Sequence, residues 1–228
     1  MKYGIICAME EEIKELRAKL SNQTEKNLGG IEFYTGQLGE NEVTLVRSGI
    51  GKVQAGVTTA LLIVEFGVDQ VINSGSAGGI GTGLSVGDVV FSTEAAYHDA
   101  DATAFGYLPG QLPQQPQRYK ADEKLLLALE EAAKKADLNV KQGLIVTGDQ
   151  FVASKEKIAQ IKEIYPKALC CEMEGAAIAQ VAYQFGVPFV IVRAMSDVGD
   201  EDAGQTFDEF IIDAGKRSAK MILNLMNA

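Results

Sequence analysis

The strongest constraint on this chain is its rhythm. Short apolar runs of strand length alternate with longer segments whose apolar residues recur every three or four positions, almost from end to end. Such a chain buries its strands in one sheet and covers them with helices. Residues 2–8 read as a buried first strand, and 10–20 as a helix with Ile13, Leu16 and Leu20 on one face. Residues 31–38 and 43–48 are apolar runs separated by Gly39-Glu40-Asn41, a hairpin signal. Residues 53–66 read as a helix with apolar Val53, Val57, Leu61 and Val64, followed by a short strand at 70–74 and another at 88–93. Helices are expected at 125–136, 156–164 and 173–185, and strands at 143–147 and 188–194. The closing helix, 207–226, has Phe207, Phe210, Ile211, Ala214, Met221, Ile222 and Leu225 as its core stripe. The expected fold is α/β: one domain over residues 1–228, a central mixed twisted sheet flanked by helices on both faces.

Charge and composition then exclude classes of partner. The net charge of −10 repels nucleic acid and anionic lipid, so neither is expected, whereas a small ligand without phosphate stays open. Cys7, Cys170 and Cys171 form no C-x-x-C pair and read as reduced thiols. His98 is the one histidine, so zinc ligation and a Ser-His-Asp relay both lack parts, and no metal or cofactor is expected. No targeting segment is visible. The most apolar helical stretch, 57–68, is too short to span a bilayer and contains Glu65, so the expected location is the cytoplasm.

In open α/β sheets, ligands gather beyond the carboxyl ends of strands. Six stretches qualify: 9–12, 49–52, 75–79, 148–152, 172–174 and 196–197. Gly75-Ser76-Ala77-Gly78-Gly79 reads as a turn that lets backbone N–H groups approach a ligand, or as a tight turn with none. Glu10, Glu11 and Glu12 open a helix, where acidic charge is favourable, but three in a row exceed what capping needs. Glu172-Met173-Glu174 stands at a strand-to-helix junction, where one carboxylate can face the cleft while the other caps. Asp197 is either a cap or an acid whose proton is retained by a dry pocket. Met9, Phe105, Phe151, Met173 and Phe207 are core residues or the lining of an apolar slot. Residues 99–120 form the longest irregular segment, with the length of a lid or interface loop.

Taken together, these segments resemble the bacterial 5'-methylthioadenosine/S-adenosylhomocysteine nucleosidases, a family of the nucleoside phosphorylase superfamily. The ordered set also includes Ser48-Gly49-Ile50-Gly51-Lys52-Val53, Thr147-Gly148-Asp149-Gln150-Phe151-Val152 and Arg193-Ala194-Met195-Ser196-Asp197, and it runs the length of the chain. The resemblance implies hydrolysis of the N-glycosidic bond of a 5'-thio-substituted adenine nucleoside. Glu12 would activate the attacking water and Asp197 would protonate adenine N7. Glu174 would accept the ribose hydroxyls with Met173 against the sugar, and Arg193 and Ser76 would sit near the water and ribose. Phe151 would pack on the base while the backbone of Val152 reads its edge. Met9, Ile50 and Phe207 would line the alkylthio end, and Gly78, Glu172 and Ser196 complete the expected contacts. Ala102, Phe105 and Pro113 would reach the neighbouring subunit's site, which implies a homodimer. Val152, Gly175 and Ala102 depart from the commonest family pattern, and none of the three removes a polar catalytic group.

Two rivals carry different chemistry. A phosphorylase on the same fold would use phosphate instead of water, and the acidic run at Glu10–Glu11–Glu12 opposes a phosphate dianion. A non-catalytic adenine-nucleoside binding protein would bind without releasing adenine.

Overall fold

The computed structural model describes residues 1–136, 138–198 and 203–227. Ten strands and six α-helices are found among them. In chain order they are β1 (Lys2–Cys7), α1 (Glu10–Lys19), β2 (Ser21–Leu28), β3 (Ile31–Leu38), β4 (Asn41–Arg47), α2 (Lys52–Phe66), β5 (Gln70–Gly79) and β6 (Val89–Tyr97). Then follow β7 (Tyr119–Lys120), α3 (Glu123–Ala136), β8 (Val140–Thr147), α4 (Lys155–Ile164), β9 (Ala168–Glu172), α5 (Gly175–Phe185), β10 (Phe189–Asp197) and α6 (Ala203–Met226). The mixed α/β sheet with helical cover agrees with the expectation from alternation.

The sheet runs β2-β3-β4-β1-β5, and β5 then pairs with both β10 and β9. Because β10, β6, β8 and β9 are themselves neighbours in that order, one end of the sheet closes into a ring. The closing contact is antiparallel and short, Gly78 opposite Cys171 and Gly79 opposite Cys170. β5 and β10 are buried along almost their whole length; this matches the apolar run of β10, whereas β5 also buries the polar Asn73, Ser74 and Ser76. Helix α6 packs on β10 and β5 with α1 and α3 beside it, while α2 and α5 pair with each other. No helix among the described residues is long and apolar enough to cross a membrane.

Three readings need correction, and one strand had no reading. Gly75–Gly79 is not a turn: it is the end of β5, paired with β10 and β9. Strand β2 lacked an apolar signal because it is an edge strand of polar residues, nearly all exposed. On α2 the buried face is Ala55, Thr58, Thr59 and Leu62, whereas Val53 (76 %) and Val64 (65 %) of the apolar stripe are exposed. On α6 the stripe is buried at Ile211, Ala214, Met221, Ile222 and Leu225, but Phe210 faces solvent.

Candidate active site

Loops and strand ends converge on a cavity of about 330 Å³. Ala8, Met9 and Glu12 enter it from the β1–α1 junction, Ile50 from beyond β4, and Ser76, Ala77 and Gly78 from β5. Gln150, Phe151 and Val152 follow β8, Cys171 to Glu174 close β9, Arg193, Ser196 and Asp197 end β10, and Phe207 descends from α6. The strand-end rule therefore located the cavity. Every expected substrate contact of this chain lines it. Ala102, Phe105 and Pro113 do not, and Phe105 stands exposed on a short 3-10 turn, Thr103–Phe105.

Of the three leading glutamates, the helix buries one. Glu10 and Glu11 are exposed, whereas Glu12 is 2 % exposed. Its Oε2 accepts the N–H groups of Ala8 (2.9 Å) and Met9 (3.1 Å), an N-terminal cap made by the third residue of α1. Its Oε1 accepts both the N–H and the hydroxyl of Ser76, each at 3.0 Å. Four donors thus fix the carboxylate, and the Ser76 hydroxyl is the one that can rotate away.

Arg193 is the buried cation among the described lining residues. One terminal nitrogen donates to the Ser76 carbonyl (3.1 Å). The other donates to Asn73 Oδ1 (2.6 Å), to Glu174 Oε2 (3.2 Å) and, more closely, to Glu172 Oε2. Burial works against its charge, but Glu172, Glu174 and Glu12 outweigh burial and raise its pKa above the ordinary arginine value. Glu172 is fully engaged: it also accepts the Thr147 hydroxyl and the N–H groups of Glu174 (3.1 Å) and Gly175 (2.8 Å). Both residues of the pair line the cavity, but Glu172 is held by four donors and Glu174 by two. Glu174 accepts the Gly51 N–H (2.9 Å) at the start of α2. Burial, with Glu172 and Glu12 nearby, pushes its pKa up to about 7 against the pull of Arg193 and the Gly51 N–H.

Asp197 is buried and accepts the Ser196 hydroxyl at 2.9 Å. It lies just past a register shift in β10 that brings it opposite Gly78. The glycines of β5 make room for these charges. A Cβ on Gly75 would stand 2.4 Å from Arg193 Nη1 and 2.8 Å from Glu12 Oε1. A Cβ on Gly78 would stand 2.8 Å from Asp197 Oδ1. These anchor points are three residues apart, roughly 10 Å along a strand. At the mouth, Phe151 and Phe207 meet edge to face with ring centroids 5.8 Å apart.

Alignment with known proteins agrees with this geometry. The Phosphorylase superfamily model matches residues 2–227. A 5'-methylthioadenosine/S-adenosylhomocysteine nucleosidase of Actinobacillus succinogenes is 50 % identical over 226 residues, 99 % of this chain and 98 % of that protein. The chain belongs to this nucleosidase family of the phosphorylase superfamily. The corresponding nucleosidase of Neisseria meningitidis, solved in complex with methylthio-immucillin-A, superposes with a TM-score of 0.98 at 48 % identity, covering 99 % of this chain and 98 % of that one. A Streptococcus pyogenes S-adenosylhomocysteine nucleosidase gives 0.97 at 47 %, covering 100 % and 96 %.

Sequence reasoning missed the residues that hold the functional ones. Asn73 and Thr147 are buried polar residues inside apolar strands, an anomaly that signals a partner. The Lys52 N–H donates to Asp149 Oδ1 (2.8 Å) and its ammonium to Asp99 Oδ2 (2.7 Å), which also accepts the Asp149 N–H (2.9 Å). This knot fixes the loop that carries Phe151. His98 packs beside Gly148 with both ring nitrogens buried and unpartnered, and burial lowers its pKa. All three cysteines are free and buried, as expected of reduced thiols.

Proposed function

We propose that this chain hydrolyses the N-glycosidic bond of the 5'-thio-substituted adenosines methylthioadenosine and S-adenosylhomocysteine, and also that of the sulfur-free 5'-deoxyadenosine. The observation that carries the reading is the pairing of Glu12 and Asp197 at separate stations on β5, with Arg193 already committed to Glu172 and Glu174.

Adenine leaves poorly as an anion, so a proton must reach N7 as the bond breaks. Asp197, buried beside Ser196, supplies it; such acid help contributes about 10²–10⁴-fold. The ribose then gains oxocarbenium character, and the carboxylates of Glu12 and Glu174 stabilise that charge in a water-poor cavity. Water enters between Ser76 and the sugar. The Ser76 hydroxyl turns aside, and Glu12 takes the proton of the attacking water. An acid at Asp197 and a base at Glu12, held at different points of β5, parallel the acid and base of inverting glycosidases, which work from opposite faces of a sugar. Glu174 accepts the ribose diol, Phe151 and Val152 hold the base, and Met9, Ile50 and Phe207 surround the thioether. No step calls for a metal or cofactor.

The functional unit is a homodimer in the cytoplasm, built from one domain spanning residues 1–228. The exposed valine stripe of α2 and the exposed loop at Phe105 and Leu108 support a covered face. Ala102, Phe105 and Pro113 of one protomer then roof the thioether end of the other's cavity.

The test is adenine release from methylthioadenosine in phosphate-free buffer and again with phosphate. Equal release with free methylthioribose is expected. Release that requires phosphate and yields a sugar 1-phosphate overturns hydrolysis, and binding without release overturns catalysis.

A further inference from the structure

A second, polar groove shares walls with the cavity at residues assigned to the thioether end. Its volume is about 770 Å³, and Ala8, Met9 and Ile50 form walls of both spaces. This places the groove next to the two side chains that a substituent longer than methyl has to pass. The hairpin tip at Gly29 and Gly30 bounds its outer side.

The groove carries a matched pair of charges that the chain leaves loosely paired. Arg47, ending β4, lies with Nη1 3.7 Å from Glu10 Oε2, beyond hydrogen-bond distance, and both side chains are half exposed. Glu11 lines the same groove beside Glu10. The other basic group there is committed elsewhere: Arg17 lies over the Tyr34 ring at 3.9 Å and donates to Glu25 at 3.2 Å. Glu32 accepts the Tyr34 hydroxyl at 2.5 Å.

We propose that this groove is a subsite for the amino-acid end of an S-linked substituent, with Arg47 binding the α-carboxylate and Glu10 the α-ammonium. The inference rests on the nucleosidase reading and deepens it. A methyl substituent ends at Met9 and Ile50. A homocysteine substituent extends past them and ends in a zwitterion, whose two charges replace the long Arg47–Glu10 contact with two shorter ones. An arginine suits a carboxylate because its guanidinium can donate two parallel N–H bonds. The groove thereby separates substrates that share adenine, ribose and sulfur and differ only beyond it.

The experiment compares kcat/KM for S-adenosylhomocysteine, methylthioadenosine and 5'-(3-aminopropylthio)adenosine, which keeps the amine and lacks the carboxylate. In Arg47→Ala, kcat/KM for S-adenosylhomocysteine is expected to fall roughly two- to fivefold, the upper part of the range for a part-exposed charge contact. Methylthioadenosine and the aminopropyl compound should not lose activity. In Glu10→Gln, both amine-bearing substrates should lose and methylthioadenosine should not. The discrimination should shrink as salt rises. An equal loss for all three substrates, or no loss for any, overturns the proposal. Equilibrium binding of the same compounds gives the same comparison independently of turnover. Absence of hydrolysis in the unmodified protein would overturn the nucleosidase reading, and the subsite would still stand or fall on the binding ratios.

Discussion

At the floor of the cavity, Glu12, Glu174 and Arg193 are at most 4 % exposed, whereas at its mouth Ile50 and Phe151 keep about half of their surface in contact with solvent (54 % and 52 %). The floor is satisfied from within the chain. Its carboxylates accept backbone N–H groups from the β1–α1 junction, β5, α5 and the start of α2, and its guanidinium is shared by two of them. The mouth is apolar and unfinished. Burial and fixed dipoles preorganise a floor whose charges act on a developing cation without rearranging. The mouth gains its contacts when a purine, a thioether or a second protomer covers it.

The contrast can be broken at several points. The largest effect is expected at the floor's reacting groups: Glu12→Gln and Asp197→Asn should each lower kcat by about 10²–10⁴-fold. Circular dichroism should stay native, and Asp197→Asn should still bind substrate. A near-normal rate in either variant removes that residue from its role.

Arg193→Met comes next. It leaves Glu172 and Glu174 buried without their cation, a loss of about 3–5 kcal/mol, read as a lower midpoint in urea. An unchanged midpoint would mean that the floor is not held by this ion cluster.

At the mouth, Phe151→Ala should raise KM roughly tenfold through lost apolar burial while kcat holds. A fall in kcat with KM unchanged would place Phe151 with the floor instead.

The pH dependence of Glu174 sharpens the same contrast. Its pKa in the folded chain is raised, to about 7, so the native state keeps a proton that the unfolded chain loses near the ordinary carboxylate value. Its contribution to stability is therefore full below that ordinary value and is lost as pH rises through about 7. Diol binding runs the opposite way, because the ionised carboxylate accepts both hydroxyls. KM should fall as pH rises through about 7, and Glu174→Gln should flatten that part of the profile. A profile unchanged by the substitution assigns the titration elsewhere.

The smallest effect on the site itself belongs to Val57→Glu on the exposed face of α2. Monomer stability should change by less than about 0.5 kcal/mol, while sedimentation shifts from dimer to monomer. A dimer that survives places the interface on another face.

Much of this arrangement was legible before the coordinates. The strand-end rule pointed to Met9–Glu12, Phe151–Val152, Glu172–Glu174 and Ser196–Asp197, because open α/β sheets gather their ligands beyond the carboxyl ends of strands. What misled was local. Gly75–Gly79 looked like a turn because glycines usually mark one; here they clear space for Arg193, Glu12 and Asp197 inside a paired strand. The stripe Val53–Val57–Val64 has helical period, but period alone does not say which neighbour it faces, and α2 turns it outward.

By itself, the sequence determined the alternation of strands and helices, the absence of parts for a zinc or serine-histidine site, and the positions where carboxylates could meet. These follow from side-chain period and residue chemistry, which are local properties. Only the tertiary structure decided that one glutamate of Glu10, Glu11 and Glu12 is buried, that Glu172 is held by more donors than Glu174, and that Arg193 joins them. Those choices depend on which donors the closed ring of strands brings within hydrogen-bond distance, and residues 19 to 123 positions apart in the chain acquire that proximity only when the ring forms.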